Sequence, residues 1–263
     1  MTATQRWTTQ LHQWAIPAEI LDQAPRNPYE FPPAMIRKAH VEPLSSPTGV
    51  VTLERLGPGE RLLDVGCGAG RISGAFTADH EVVGVEPRPA LAQVSREAGV
   101  TVIEGRWPDQ VKQAGTAEVC LCTHVLYDVQ EPQPFLVALA AAARRRVVVE
   151  VTGSHPWTGI GPLYELVHGI SRPTGPTAEL LVQVIQEACG VMPQIQDWTR
   201  PGSIYADAET MLDQDRRMLC IGADHPKTAA LAEAVMARVQ ILPSGEVQLP
   251  PVRQATIWWD VDG

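Results

Sequence analysis

The sequence predicts an α/β fold built on a doubly wound parallel sheet. Short apolar segments alternate with helical patterns between residues 48 and 151. The segment 119–122 is apolar without alternation, which is typical of a parallel strand buried on both faces. A glycine-rich turn follows the first strand, 61–65, and leads into a helical pattern at 70–77. These observations place the sheet in the middle of the chain.

Glycine and proline mark most boundaries of the core elements. Gly57-Pro58-Gly59 ends the first helix, Pro89 begins a later one, and Gly99 stops it. The predicted strands are 61–65, 81–85, 100–104, 119–122 and 147–151, and the predicted helices are 48–56, 70–77, 89–97 and 134–143.

The N-terminal region, residues 1–46, is predicted to be a separate cap or lid. Its prolines interrupt regular structure, and short helices are expected at 8–16, 18–21 and 35–39. The region holds too little apolar surface to fold alone. Its aromatic side chains must therefore pad the sheet or cover a pocket, and both interpretations stay open.

The second predicted unit, residues 47–263, carries two insertions in the α/β alternation. The first insertion, 152–177, is dense in glycine and proline, and its aromatic residues argue against disorder. The second insertion is 200–250. Apolar stripes and caps predict helices at 178–188, 208–219 and 226–239, and strands at 194–198 and 255–260.

Composition excludes several classes of function. The net charge is −9, from 21 basic and 30 acidic side chains, which argues against a nucleic-acid partner. Five cysteines without a C-x-x-C pair argue against disulfides and zinc, so no metal is expected. Neither a leader nor an apolar run of about 18 residues is present, so we expect a cytoplasmic protein without a membrane partner. The oligomeric state stays open, a homodimer included.

An acid and three alternating glycines end the first strand, in the order Asp64-Val65-Gly66-Cys67-Gly68-Ala69-Gly70. Without Cβ atoms, the backbone can turn sharply and a ligand can approach it closely. The spacing differs from the dinucleotide fingerprint G-x-G-x-x-G. A carboxylate is a poor neighbour for a diphosphate and a good one for an ammonium or sulfonium group. Glu86 ends the second strand, where an acid can accept both ribose hydroxyls.

These residues resemble the first motif of the class I S-adenosylmethionine (SAM)-dependent methyltransferases, acid-x-Gly-x-Gly-x-Gly, and the resemblance covers about residues 53–150. It implies a Rossmann-like methyltransferase fold with a mostly parallel seven-stranded sheet, a seventh antiparallel strand and SAM as the cofactor. The hypothesis is methyl transfer to an O or N atom of a small molecule. Two alternatives stay open: an NAD-type oxidoreductase, disfavoured by the glycine spacing, and a non-catalytic SAM-binding module.

The resemblance also implies where the cofactor lies. Thr123 and His124, after the fourth strand, are expected beside the methionine part of SAM. The family often places an acid next to adenine after the third strand, where this chain has Arg106. Adenine is then expected against the backbone of that segment, with Trp107 stacking. The predicted cofactor-binding residues are Asp64, Gly66, Cys67, Gly68, Gly70, Glu86, Pro87, Gly105, Arg106, Trp107, Thr123 and His124.

The methyl acceptor is expected to be held outside the parallel core, by aromatic residues of the N-terminal region and the first insertion. His124 is a candidate base, with a structural hydrogen bond to nearby backbone as the alternative. His168, one helical turn from Tyr164, is the second candidate base. Whether a base is used, and which acceptor it serves, the sequence leaves open. The predicted substrate-binding residues are Tyr29, Phe31, Tyr127, His155, Trp157, Tyr164, His168 and Arg172.

Overall fold

The computed structural model describes residues 1–29, 37–38 and 41–261. Its strands are β1 (Arg37–Lys38), β2 (Arg61–Val65), β3 (Glu81–Glu86), β4 (Thr101–Glu104), β5 (Ala117–Thr123), β6 (Ala143–Thr152), β7 (Gln194–Arg200), β8 (Ser203–Tyr205), β9 (Gln240–Ile241), β10 (Val247–Gln248) and β11 (Val252–Asp260). Its α-helices are α1 (Ala3–His12), α2 (Ala18–Leu21), α3 (Pro47–Leu53), α4 (Pro89–Glu97), α5 (Val111–Ala114), α6 (Pro132–Ala142), α7 (Gly161–His168), α8 (Ala178–Cys189), α9 (Ala208–Met218) and α10 (Thr228–Met236). Within these ranges, 3-10 turns cover Pro43–Ser45, Ser73–Phe76, Leu126–Asp128 and Pro156–Ile160.

The main sheet has seven strands in the order β4-β3-β2-β5-β6-β11-β7. Strands β2 to β6 pair in parallel. Strand β11 is antiparallel to both β6 and β7, so β7 ends at the same edge of the sheet as β6. The predicted mostly parallel sheet with an antiparallel last strand is therefore confirmed.

Helices cover both faces of this sheet. On one face, α1, α6 and α8 form a hydrophobic core with the sheet, in which Trp7 is 1% exposed and Leu136 and Leu181 are fully buried. On the other face, Val51 of α3 and Phe76 pack against the central strands. The parallel strands are apolar on both sides because both faces are covered.

Three local predictions differ from the structure. The segment 70–77 forms only the 3-10 turn Ser73–Phe76, because Gly70 has a φ of +69° that no α-helix contains and Gly74 favours helix weakly. Within the predicted helical turn at 35–39, the described residues Arg37–Lys38 are instead a strand that pairs with β8. Helix α1 also begins earlier than predicted, at Ala3, because Thr2 and Gln5 form a capping box.

The two insertions share a second, smaller core. A four-stranded sheet in the order β1-β8-β10-β9 lies with α7, α9 and α10. The buried side chains of this second core include Leu163, Tyr164, Val167, Met211, Leu231 and Val235. The segments that interrupt the α/β alternation therefore pack on one another. The division of the chain at residue 46 stays a prediction.

Candidate active site

A cavity of about 1050 Å³ opens at the carboxyl ends of the parallel strands. Ligands of open α/β sheets bind at this edge, where the loops that leave the strands converge. Every predicted cofactor-binding residue except Gly70 lines this cavity. The sequence therefore predicted residues that line one side of the cavity, whereas their binding of a cofactor stays a prediction.

The three glycines of the turn after β2 serve different purposes. Gly66, Gly68 and Gly70 have φ values of +76°, +55° and +69°, which side chains adopt rarely. A Cβ on Gly66 would lie 2.3 Å from a methyl carbon of Val125, and one on Gly70 would lie 2.7 Å from Oγ of Ser95. A Cβ on Gly68 would meet no protein atom within 4 Å. Packing therefore requires the outer two glycines, while the middle one leaves open space for a ligand.

Asp64 is buried at the end of β2 without a complete set of partners. Its side chain is 1% exposed, and Oδ1 has no hydrogen bond. Burial, together with the nearby Glu86 carboxylate, raises the pKa of Asp64 to about 7. A cationic group of a ligand would be attracted to this buried carboxylate, whereas a diphosphate would be repelled by it. The site therefore fits the ammonium or sulfonium group of SAM.

Glu86 ties the glycine turn to β3. Its Oε2 accepts a hydrogen bond of 3.0 Å from the Gly68 amide, and Oε1 accepts from the backbone and side-chain nitrogens of Arg88 at 3.0 and 3.1 Å. A carboxylate has about four acceptor positions, so roughly one remains for a ligand. The Arg88 side chain is exposed, so its bond can exchange for a second ribose hydroxyl.

Trp107 is held in place at the end of the cavity beyond β4. Its Nε1 donates to the carbonyl of Phe135 at 3.2 Å, and both residues line the cavity. The amide of Gly105 donates to the carbonyl of Glu86 at 3.1 Å, which fixes the start of this loop. The half-buried indole ring of Trp107 is therefore available to stack on an adenine, which is the role expected from the resemblance to the methyltransferases.

His124 and Glu150 form a hydrogen-bonded pair inside the cavity. Nε2 of His124 lies 2.9 Å from Oε1 of Glu150, and the His124 amide donates to the Glu150 carbonyl at 2.9 Å. The second bond holds His124 in a left-handed conformation with a φ of +58°, a strain that is found mostly at functional sites. With Nε2–H directed at the carboxylate, Nδ1 is the ring nitrogen left to accept a proton.

The surroundings of Glu150 keep it ionised. Burial alone would raise its pKa, but hydrogen bonds from His124 and from Thr48, with the charge of Arg200, lower the pKa below its ordinary value. Oγ1 of Thr48 donates to Oε2 at 2.5 Å and also contacts Oγ1 of Thr256 at 2.7 Å. An ionised carboxylate orients the imidazole and would stabilise its protonated form.

Several cavity residues escaped the sequence prediction. Glu150 gave a local indication, an acid inside the apolar run of β6. Trp198 and Arg200 of β7 gave none, because only the pairing of β7 with β11 brings them to the cavity. The residues in this group include Val41, Pro43, Ser46, Arg71, Glu150, Trp198 and Arg200.

The predicted acceptor residues that the structure describes lie outside the lining of the cavity. Tyr127 stacks on His124 with ring centroids 6.4 Å apart, and His155 meets the edge of Tyr127 at 5.8 Å. His155 also stacks on Trp14 at 4.2 Å, and burial lowers its pKa to about 4. Trp157 stacks on Tyr29 at 5.6 Å. These rings form a wall behind His124, and none of them is among the described residues that line the cavity.

His168 lies away from the cavity, contrary to its predicted role as a base. Its Nε2 lies 2.7 Å from the Leu219 carbonyl, and its ring packs on Tyr164 at 4.9 Å. Burial lowers the pKa of His168. The Arg172 guanidinium lies over the ring of Tyr164 at 4.6 Å and over that of Trp14 at 5.1 Å. This cluster joins the second core to the N-terminal region.

Among the described residues of the N-terminal region, those near its end line the cavity. Helix α1 packs in the core behind the sheet, with Nε1 of Trp7 donating to the Val129 carbonyl at 3.3 Å. Val41, Pro43 and Ser46, in contrast, line the cavity. Phe31, a predicted acceptor residue, lies outside the described residues. The region therefore combines a structural strap with a short wall of the cavity.

Two absences hold for the described ranges of the chain. No group of three or more His, Cys, Asp or Glu side chains in residues 1–29, 37–38 and 41–261 is arranged to hold a metal ion. No helix in these ranges has the length and apolar character that crossing a bilayer requires.

Comparisons with known proteins concern the domain that carries this site. The family model described as a methyltransferase domain matches residues 63–148. None of the curated proteins matches the chain. A methyltransferase candidate from Bacillus halodurans C-125 has the same fold, with a TM-score of 0.51 and 12% identity over 82% of this chain and 97% of that one.

Two further solved structures are similar at a lower level. A precorrin 8w decarboxylase from Methanobacterium thermoautotrophicum gives a TM-score of 0.49 and 12% identity over 89% of this chain and 97% of that one. The YcgJ protein of Bacillus subtilis gives a TM-score of 0.49 and 16% identity over 80% of this chain and 97% of that one.

The matched domain runs from the strand before the glycine turn into β6. It includes the intact motif from Asp64 to Gly70, the acid at the end of β3 and the segment that carries His124. The dinucleotide alternative fails because the matched domain is a methyltransferase domain and the cofactor of this family is SAM. Residues 63–148 therefore form a methyltransferase domain, and the chain has the fold of the class I SAM-dependent methyltransferases.

Proposed function

We propose that this methyltransferase acts on an O or N atom of a small molecule, with His124 as the general base. The observation that carries the proposal is the His124–Glu150 pair, 2.9 Å apart within the cavity that Gly68 and Asp64 line. Small-molecule sites usually occupy about 300–1,000 Å³. A cavity of about 1050 Å³ has room for a cofactor and a compact acceptor.

Different residues of the cavity suit different parts of the cofactor. The unpaired Asp64 carboxylate suits the cationic end, the open space above Gly68 admits the ligand close to the backbone, and Glu86 suits the ribose hydroxyls. SAM, when bound, supplies an electrophilic methyl group on a cationic sulfur. Transfer then depends mainly on alignment of the acceptor and exclusion of water.

A hydroxyl or protonated amine must lose a proton when it accepts the methyl group. Nδ1 of His124 is the position proposed to take that proton, and the Glu150 carboxylate stabilises the resulting imidazolium. The left-handed backbone conformation of His124 holds its ring next to the carboxyl end of β5. The net charge of −9 supports a small acceptor over a nucleic acid.

The test measures S-adenosylhomocysteine (SAH) formed from SAM with panels of small phenols, alcohols, amines and acids. His124→Asn removes the base while keeping a residue that tolerates positive φ. We expect SAM affinity within about threefold of the wild type and a loss of turnover of about 100-fold or more. His12→Asn, on the exposed face of α1, is the control.

Three results would contradict the proposal in different ways. Full turnover by His124→Asn would remove His124 as the base. Methyl transfer to carbon alone would contradict the O or N acceptor. Tight SAM binding without SAH formation from any acceptor panel would favour a non-catalytic binding module.

A further inference from the structure

Two arginines line the cavity, and neither forms a salt bridge with a described residue. Arg71 follows the glycine turn and Arg200 ends β7, and both line the cavity. Nε of Arg200 is buried and has no hydrogen bond. Within the part of the chain that the structure describes, neither guanidinium lies in a salt bridge. The other cavity arginine near the turn, Arg88, is already paired with Glu86.

The Arg200 guanidinium is partly buried and has both a cationic and an anionic neighbour. Burial lowers the pKa of Arg200, the Glu150 carboxylate opposes this shift, and the neighbouring charge of Arg71 adds to it. The Glu150 carboxylate, which offsets part of this effect, is itself bonded to His124 and Thr48. A carboxylate of a ligand could therefore pair with the guanidinium groups of Arg200 and Arg71.

The indole ring of Trp198 lies on the same strand as Arg200 and also lines the cavity. Trp198 and Arg200 are two residues apart on β7, so their side chains are on the same face of the strand. Nε1 of Trp198 donates to Oγ1 of Thr256 at 3.1 Å, which fixes the indole. A fixed aromatic face next to a guanidinium suits a planar ligand that carries a carboxylate.

We propose that Arg200 and Arg71 bind the carboxylate of the methyl acceptor, and that the acceptor is an aromatic acid whose ring lies against Trp198. This inference rests on the proposed function, because it concerns the acceptor of the same site. Glu150 contacts His124 on one side and faces Arg200 on the other. The hydroxyl or amino group that takes the methyl therefore lies next to the carboxylate on the ring.

The experiment measures binding and does not require turnover. Calorimetry on SAH-saturated protein compares 2-hydroxybenzoate with its neutral analogue 2-hydroxybenzamide, and with phenyl phosphate. We expect the wild type to bind the acid about tenfold or more tightly than the amide. Arg200→Gln should remove this preference and leave SAH affinity unchanged.

Matched variants separate the effect of the arginine charge on binding from any effect on folding. Arg71→Gln changes an exposed side chain, so it should lower the preference for the acid without affecting folding. Arg200→Lys keeps the charge and should keep part of the preference. Arg253→Gln, on the neighbouring strand β11 and paired with Asp197 and Glu179, should behave as the wild type.

Several outcomes would overturn the inference. Equal binding of acid and amide, or no binding of the acid at millimolar concentrations, would mean that no carboxylate site exists. Tighter binding of phenyl phosphate would replace the carboxylate by a phosphate. A loss of SAH affinity in Arg200→Gln would assign the arginine to the cofactor.

The inference and the proposed function fail separately. SAH formation from neutral phenols, with no preference for acids, would keep the proposed function and overturn the aromatic acid. Binding of 2-hydroxybenzoate through Arg200 without methyl transfer to any acceptor would keep the carboxylate site and overturn the proposed function.

Discussion

Replacement of Gly68 by alanine tests the ligand site with the smallest possible change. The new Cβ would meet no protein atom within 4 Å, so it would project into the space assigned to the ligand. The amide that donates to Glu86 remains, so the turn keeps its bond to β3. The loss of binding can then be attributed to occupied space.

The structure sets the expected magnitudes. The φ of +55° costs alanine about 1–2 kcal/mol in folding. When SAH is bound, the added methyl group crowds the ligand, which costs a further ~1–3 kcal/mol of binding free energy. SAH affinity should therefore fall about 5- to 150-fold. For a chain of this size, the folding cost lowers the melting temperature by about 2–8 °C.

Gly59→Ala is the matched control. Gly59 has a φ of +75°, a Cβ there would also meet nothing within 4 Å, and the residue does not line the cavity. Both variants should therefore lose similar stability in urea unfolding, and only Gly68→Ala should lose SAH affinity by calorimetry. Affinity of Gly68→Ala within twofold of the wild type would remove Gly68 from the cofactor site.

Two further predictions concern Asp64 and Trp7. Burial raises the pKa of Asp64 from its ordinary value of 3.8 to about 7 in the folded protein. The cofactor-free protein should therefore lose stability as pH rises from 4 to 7, whereas Asp64→Asn should lose less. SAM affinity should rise through pH 7 in the wild type because the ionised carboxylate binds the cation, and a pH-independent difference from Asp64→Asn would contradict this. Trp7→Ala should cost about 3–5 kcal/mol in urea unfolding, since the ring is 1% exposed in the main core. A cost below that of Leu21→Ala, at an exposed position, would mean that α1 docks loosely.

The parallel core was predictable because its determinants are local. The strand predicted at 61–65 and the helix predicted at 89–97 have the bounds of β2 and α4. Apolar runs, prolines at helix starts and glycines at helix ends are adjacent to the elements they define. The failed helix at 70–77 is instructive, because Gly70 is required in a left-handed conformation by its contact with Ser95. The same motif that located the site prevented the helix.

The acceptor side depends on long-range pairing that no local pattern contains. Trp198 reaches the cavity because it pairs with Gln254 of β11, and Gln254 in turn pairs with Thr152 of β6. The sequence did predict strands at both places, but not their register. His168 illustrates the converse error, since its helix exists as α7 and its ring faces the second core. A helical pattern fixes which residues share a face without fixing what that face contacts.

One chain of hydrogen bonds links the candidate base to the wall of the acceptor site. Oε2 of Glu150 binds Thr48, the Thr48 hydroxyl contacts that of Thr256, and the Thr256 hydroxyl accepts from Trp198. These groups come from α3, β6, β7 and β11. The carboxylate that orients His124 and the indole that borders Arg200 therefore share one buried polar network. Because a buried network is costly to leave partly unsatisfied, the position of the base and the shape of the acceptor wall are fixed together.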